Sequence, residues 1–423
     1  MLEQPHFGRR LRRLRLERGL SQAGLVGDGM STGYLSRLES GERPPTQRAT
    51  AYLAERLGVE VCELTAPPPP QSLTRELAVA LSAPSGTRDV TALSRAVDED
   101  PGDDPAARWQ ALWLLSRTAG RLGDYVQQQA RLSQLLELSE LLEVPELLVR
   151  SHVAYAECTR SMGDMHTAET AASQALSLAR SQGLSVSDTA AALTLLAGIE
   201  AELGRLDAAA QHVDELERDL LPAATPTQAA EGWWAAATVS NRQGDHAAAR
   251  TKLHKALHLL KSTDDLSLWT RLRLAATAAA LEMTPPQLKS AERWLAEVSF
   301  AVDPSGTPVQ AQELRALRAH LAFHRGRLDE ARAISDALLA EGENSLLPYR
   351  DRVRLSVLDG RLMILSGRAE EGIAVLQRLG REATDSHNLD LAAHIWQSLA
   401  QTLADLRLAH PANAAHGAPR SSG

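Results

Sequence analysis

Residues 22–45 read QAGLVGDGMSTGYLSRLESGERPP, and the organisation of the chain can be worked outward from them. Ser21 is placed to N-cap a short helix whose apolar side is Leu25 and Val26. Gly27-Asp28-Gly29 then breaks that helix, since glycine takes positive φ without a Cβ penalty. Ser31 is placed to cap a second helix, in which Leu35 and Leu38 share one face. Gly41 ends it, and Pro44-Pro45 forbid its continuation.

Two short helices around a glycine turn make a helix-turn-helix, whose second helix can enter the major groove of DNA. The flanks supply the rest of such a head. A first helix is expected over Phe7–Glu17 with Leu11 and Leu14 facing inward, then helices at about 21–27 and 31–39. A fourth should span Thr46–Leu57, with Ala51, Leu53, Ala54 and Leu57 packed beneath the reading helix. Gly58 ends it, and Val59–Leu64 closes the unit as a fifth.

Residues 7–65 resemble the Xre family of lambda-repressor-like helix-turn-helix domains. The residues that carry the resemblance are Ser21-Gln22, Ser31 and Leu35-Ser36-Arg37-Leu38-Glu39, followed by Gly41, Arg43 and Pro45. The stretch between the second and third helices is slightly shorter than the commonest family form. The resemblance implies that Gln22 grips a phosphate or base edge and that Ser31 and Ser40 contact phosphate. Thr32, Gly33 and Arg37 would face the bases, with Arg37 suited to bidentate guanine recognition. Gly33 reads little directly, so Tyr34 and DNA shape would contribute, and Arg43 would touch the backbone. It also implies a buried ion pair between Arg15 and Glu39, tying the first helix to the third.

Charge is divided along the chain. The net charge of −8 argues against nucleic acid, yet residues 1–65 hold ten Arg against eight Asp and Glu, leaving 35 basic and 45 acidic residues elsewhere. Arg9, Arg10, Arg12, Arg13, Arg15 and Arg18 crowd the first helix. A small basic head on an acidic body fits a DNA reader joined to a domain with another task. Aromatics are only 4% of residues, which favours many Ala and Leu helix contacts over large aromatic cores. No long apolar run or signal-peptide core is present, and Cys62 and Cys158 stand alone. The expectation is a soluble, reduced, cytoplasmic protein with no membrane partner.

Pro67–Pro70 reads as a stiff polyproline spacer, and residues 72–100 as a helix or two. A repeat follows. Its turn glycines are Gly123, Gly163, Gly204, Gly244, Gly326 and Gly367, spaced by 40, 41, 40, 82 and 41 residues. The double step leaves room for one degenerate unit, where Thr284-Pro285-Pro286 replaces the glycine turn. Five residues after the glycine stand Ala168, Ala209, Ala249 and Ala331; seven before it stand Ala156, Ala197, Ala237, Ala319 and Gly360. Small residues on both sides of a tight turn let antiparallel helices cross closely. The pattern resembles the tetratricopeptide repeat (TPR), lengthened from its period of about 34 residues; a HEAT or armadillo array is the rival. The expected fold is all-α: a five-helix helix-turn-helix domain at 1–65, a Pro-rich linker and connecting helices at 66–104, a TPR-like right-handed solenoid of about seven helix pairs plus a cap at 105–410, and a disordered tail at 411–423. The cap is the helix at about Leu389–Leu408.

In TPR stacks the first helix of each pair lines the concave groove. Counting back from each turn glycine places Arg150, Glu157, Arg160, Trp234, Thr238, Asn241, Glu313, His320, Arg354 and Arg361 there. Arginines, an amide and a tryptophan suit an extended peptide, holding its amides, carboxylates and an apolar side chain. His254/His258 and His320/His324 have metal-like spacing but lack a third ligand in sequence, and a solvated face is the expectation for both. No phosphate loop, dinucleotide fingerprint or nucleophile elbow is found, so no enzyme, metal or cofactor is expected.

A DNA head on a TPR-like body resembles the peptide-pheromone receptor regulators of the RRNPP type. That resemblance implies a transcriptional regulator in quorum sensing, a homodimer on a double-stranded operator, with a short peptide in the groove. Alternatives are a groove that docks a protein such as a sigma factor or a kinase partner, a small-molecule signal, and an interaction scaffold with a vestigial head.

Overall fold

The computed structural model describes residues 6–65, 73–83, 89–99, 104–283 and 285–409. Pro67–Pro70, Thr284 and the tail 411–423 lie outside them. Among the described residues all regular structure is helical, and the chain divides into two compact units, 1–111 and 112–423.

The first unit opens with α1 (His6–Glu17), α2 (Gln22–Val26), a 3₁₀ turn at Gly27–Gly29, α3 (Thr32–Glu39), α4 (Gln47–Leu57) and α5 (Val61–Thr65). Side-chain oxygens of Ser21, Ser31 and Thr46 accept from the amides of Gly24, Tyr34 and Ala49 at 3.0, 3.2 and 3.2 Å, each satisfying a donor the helix start leaves unpaired. Phe7, Leu11, Leu25, Leu35, Leu38, Leu53, Leu57 and Leu64 form the core, with Leu14 partly buried. Ala51 is exposed, contrary to expectation: the inward stripe of α4 is Thr50, Leu53, Ala54 and Leu57, and position 51 falls off it. The short α2 is closed from α4. Arg56 donates to the carbonyls of Leu25 and Gly24 at 3.1 and 3.0 Å, and the Tyr52 hydroxyl donates to that of Val26. Tyr52 lies so near the turn that a Cβ on Gly29 would stand 2.5 Å from its ring. Two connecting helices follow, α6 (Leu73–Ser82) and α7 (Thr91–Glu99).

Seven helix pairs come next in chain order. They are α8 (Pro105–Leu122) with α9 (Tyr125–Leu142), α10 (Pro145–Met162) with α11 (Met165–Ser181), and α12 (Val186–Glu202) with α13 (Leu206–Glu215). Then come α14 (Pro226–Arg242) with α15 (His246–Leu259), α16 (Leu266–Glu282) with α17 (Leu288–Ser305), α18 (Pro308–His324) with α19 (Leu328–Leu339), and α20 (Tyr349–Leu365) with α21 (Ala369–Asp385). A single helix, α22 (Leu389–Ala409), completes the series. All six turn glycines have positive φ, from 73° to 92°. Where aspartate follows the glycine, Asp124, Asp164 and Asp245 cap the next helix. The degenerate turn is held by the Gln287 amide donating to the Ala280 carbonyl at 2.8 Å. The small residues on either side of the turns are buried between paired helices. Gly372 extends the pattern: a Cβ there would lie 2.4 Å from the Gly360 carbonyl oxygen, so α20 and α21 meet backbone to backbone.

The stack does not stay open. Helix α20 touches α10, and α22 touches α12. The Tyr349 ring lies over Gly163, Leu346 over Gly123, and Leu389 over Gly204, so early turns carry residues from the last units.

Candidate nucleic-acid interface and ligand groove

In the head, α3 presents Thr32, Gly33, Ser36 and Arg37 to solvent, while Leu35 and Leu38 anchor its other side. The anchor is also ionic. Arg15 donates from Nε and Nη2 to the two carboxylate oxygens of Glu39 at 2.6 and 2.9 Å, and from Nη1 to the Leu20 carbonyl at 2.9 Å. Burial pushes the Glu39 carboxyl up, but hydrogen bonds from Arg15 and Gln22 bring it below its ordinary value. Gln22 Nε2 donates to Glu39 at 2.8 Å, so Gln22 braces the clamp from the start of α2. Ser31 caps α3, and the Ser40 hydroxyl donates to the Arg37 carbonyl at 3.3 Å. Arg37 Nε donates to the Gly33 carbonyl at 3.2 Å, which holds the guanidinium along the exposed face. Arg43 lies 4.8 Å from the centre of the Tyr34 ring, a cation–π contact beyond the end of α3. Gln22, Ser31, Thr32, Gly33, Tyr34, Arg37, Ser40 and Arg43 thus form one neighbourhood around α3.

The groove candidates fall on the first helices of the pairs, and several are engaged by neighbouring side chains. Arg150 pairs with Asp188 at 2.9 Å and, with Glu157, Trp113 and Val153, lines a depression of about 230 Å³. Arg160 reaches Glu202 at 2.5 Å. Arg354 pairs with Glu282 at 2.8 Å and Asp351 at 3.0 Å. Arg361 donates to the Thr402 hydroxyl at 2.9 Å and stands 4.4 Å from the Phe323 ring centre. The Thr238 hydroxyl donates to the Trp234 carbonyl at 3.0 Å, and Asn241 Oδ1 meets His246 at 2.9 Å. Trp234 lies 5.9 Å from the Arg271 guanidinium, which pairs with Glu231.

His320 and His324 are not on a solvated face. Burial lowers them to about 3 and about 4, with nearby arginines adding to the effect, and His394 from α22 faces the same cluster. Arg354 and Arg361 beside them oppose a metal cation.

Counting back from the glycines missed the residues that join the ends of the stack. Glu202 and Arg242 each stand two positions before a turn glycine, a register the repeat itself could have exposed. Arg242 Nη2 reaches Asp390 at 3.0 Å, Arg350 also pairs with Asp390, and Arg242 lies 3.7 Å from Glu202. Burial pushes Glu282 up, but Arg354, His394 and Arg350 bring it down to about 2. Another part of the interior is acid-rich. Burial and Asp351 push Glu313 up to about 8, and burial raises Glu231 despite Arg271.

Residues 87–406 match the family described as the MalT-like TPR region, and residues 6–66 match a helix-turn-helix domain family. No protein with curated characterisation matches the chain. A Rap protein solved with Competence and Sporulation Factor is similar over 95% of this chain and 96% of its own, at 11% identity and a TM-score of 0.50. The Rap conjugation gene regulator of plasmid pLS20, solved with the Phr* peptide, is similar over 90% and 98%, at 10% identity and a TM-score of 0.51. Bacillus thuringiensis PlcR, solved with the peptide PapR7 and DNA, covers 75% of this chain and 98% of its own, at 15% identity and a TM-score of 0.40. At such identities the likeness to the two Rap proteins is one of fold.

Proposed function

The chain belongs to the MalT-like TPR family, and from that premise we propose that it is a DNA-binding transcriptional regulator whose repeat domain senses a short signalling peptide. The reading assigns DNA to residues 1–65 and ligand to the repeats at 105–410. It makes the protein a homodimer, because one head reads a half-site and operator symmetry pairs two heads about a helical turn apart. The observation that carries the DNA half is the exposed face of α3, held against α1 by the Arg15–Glu39 clamp with Arg37 laid along it. The peptide half rests on charged, aromatic and amide side chains converging on the first helices of the pairs. A neighbour of the same fold, the pLS20 conjugation gene regulator, was solved with the Phr* peptide, which supports carrying that ligand class to this chain. The role is that of a regulator, not an enzyme.

Selection of duplexes from a random pool tests the head. Arg37→Ala should relax preference at one base position and cost about 1–3 kcal/mol. Arg12→Ala, on the exposed face of α1, should weaken all sequences alike and flatten the salt dependence. An unchanged preferred site in the Arg37 variant overturns the assignment.

A further inference from the structure

We propose that Arg242 and Arg350 form a carboxylate receptor inside the repeat unit, that Asp390 is its internal occupant, and that a ligand's free carboxylate competes with Asp390 for it. This rests on reading the interior as the ligand site and names the ligand's recognised group. Both guanidinium groups converge on one oxygen, Oδ2 of Asp390, Arg242 through Nη2 at 3.0 Å and Arg350 through its own Nη2. Among the described residues the Nη1 atoms of Arg242 and Arg350 are buried and have no hydrogen-bond partner. Two planar donor groups that could each hold a carboxylate through two bonds share a single oxygen instead.

Arg160, Arg242, Arg350 and Arg354 face Glu202, Glu282, Asp351 and Asp390, a cluster in which each guanidinium takes a carboxylate as its partner. The unused Nη1 donors of Arg242 and Arg350 are what a further carboxylate would satisfy. Asp390 is suited to give way. It sits in the first turn of α22, the last described helix, beside Leu389, which is 47% exposed. Displacing it would release the start of α22 from α14 and α20 and open the interior, where the side chains now pair with one another.

The test uses the full chain and three sodium salts or peptides as probes. Acetate is titrated against chloride at equal ionic strength, with thermal midpoints giving affinity and hydrogen exchange reporting on 389–409. In the parent, acetate should raise exchange in α22. In Asp390→Asn it should bind at least fivefold more tightly, because the internal competitor is gone. Glu282→Gln removes the same charge from Arg354 without freeing the receptor and should gain less than twofold. Unchanged α22 exchange in the parent, or equal gains in the two variants, overturns the receptor, and the parent arm needs no variant to fold. Pentaalanine with a free and with an amidated C-terminus separates this from the peptide reading. Equal binding of both forms sinks the receptor and leaves a peptide site. Acetate behaving as expected with neither peptide bound keeps the receptor and sinks the peptide reading.

Discussion

Arg15 and Glu39 set how α3 stands on the head, and both are almost fully buried. Removing one partner leaves the other charged and unpaired away from water. Arg15→Met should therefore cost about 3–5 kcal/mol, while Arg15→Met with Glu39→Met should cost much less. Hydrogen exchange of the α3 amides measures both, and equal losses for the single and double variants would refute the clamp. The pH sign is fixed by Glu39, which is lowered from an ordinary value near 4.5. The folded state binds fewer protons there, so the clamp's contribution is complete above that value and is lost as pH falls through the folded pKa. This pair was legible through the family resemblance, which implies an arginine on the first helix paired with Glu39 of the third. Arg242, Arg350 and Asp390 were not, since they come from three helices far apart in sequence and only the closing of the stack brings them together. Ala51 shows a smaller limit: one step along α4 turns a side chain by about 100° and out of the core.

At the scale of the element, the turn glycine decides where each pair begins and ends, and its period was plain in the sequence. What the period concealed is that the turns are not equivalent. Gly244 has φ 85° and open space around its missing side chain, whereas Gly163 has φ 92° and the Tyr349 ring 2.6 Å from where a Cβ would stand. Gly244→Ala should thus cost only the left-handed backbone strain, about 1–2 kcal/mol. Gly163→Ala adds a clash that must move Tyr349 or the turn, so its loss should be clearly larger. Denaturant titration of the two variants decides this, and equal losses would mean that Tyr349 yields freely. The degenerate turn at α16–α17 was foreseen from spacing alone, because two flanking glycines fix the register of the unit between them.

At the scale of the whole repeat unit, contact between its ends changes how it should unfold. An open array touches only nearest neighbours and can fray from either end, so its stability is nearly a sum of local terms. Here Tyr349 of α20 rests on the turn after α10, Leu389 on the turn after α12, and Asp390 joins Arg242 to Arg350. The final units cannot leave without uncovering early turns, nor early turns loosen without releasing the final units. Residues 112–423 should therefore melt as one cooperative transition, with calorimetric and van't Hoff enthalpies equal. Tyr349→Ala cuts the aromatic contact over Gly163, along with the packing of the ring on the α20–α22 core. It should lower the midpoint and broaden the transition, the van't Hoff enthalpy falling below the calorimetric one as the ends melt apart. Differential scanning calorimetry of the full chain, with hydrogen exchange assigning the first amides to open, makes the measurement. If the variant melts as sharply as the parent, nearest-neighbour coupling alone carries the cooperativity, and the contact between the ends is not what binds the stack into one unit.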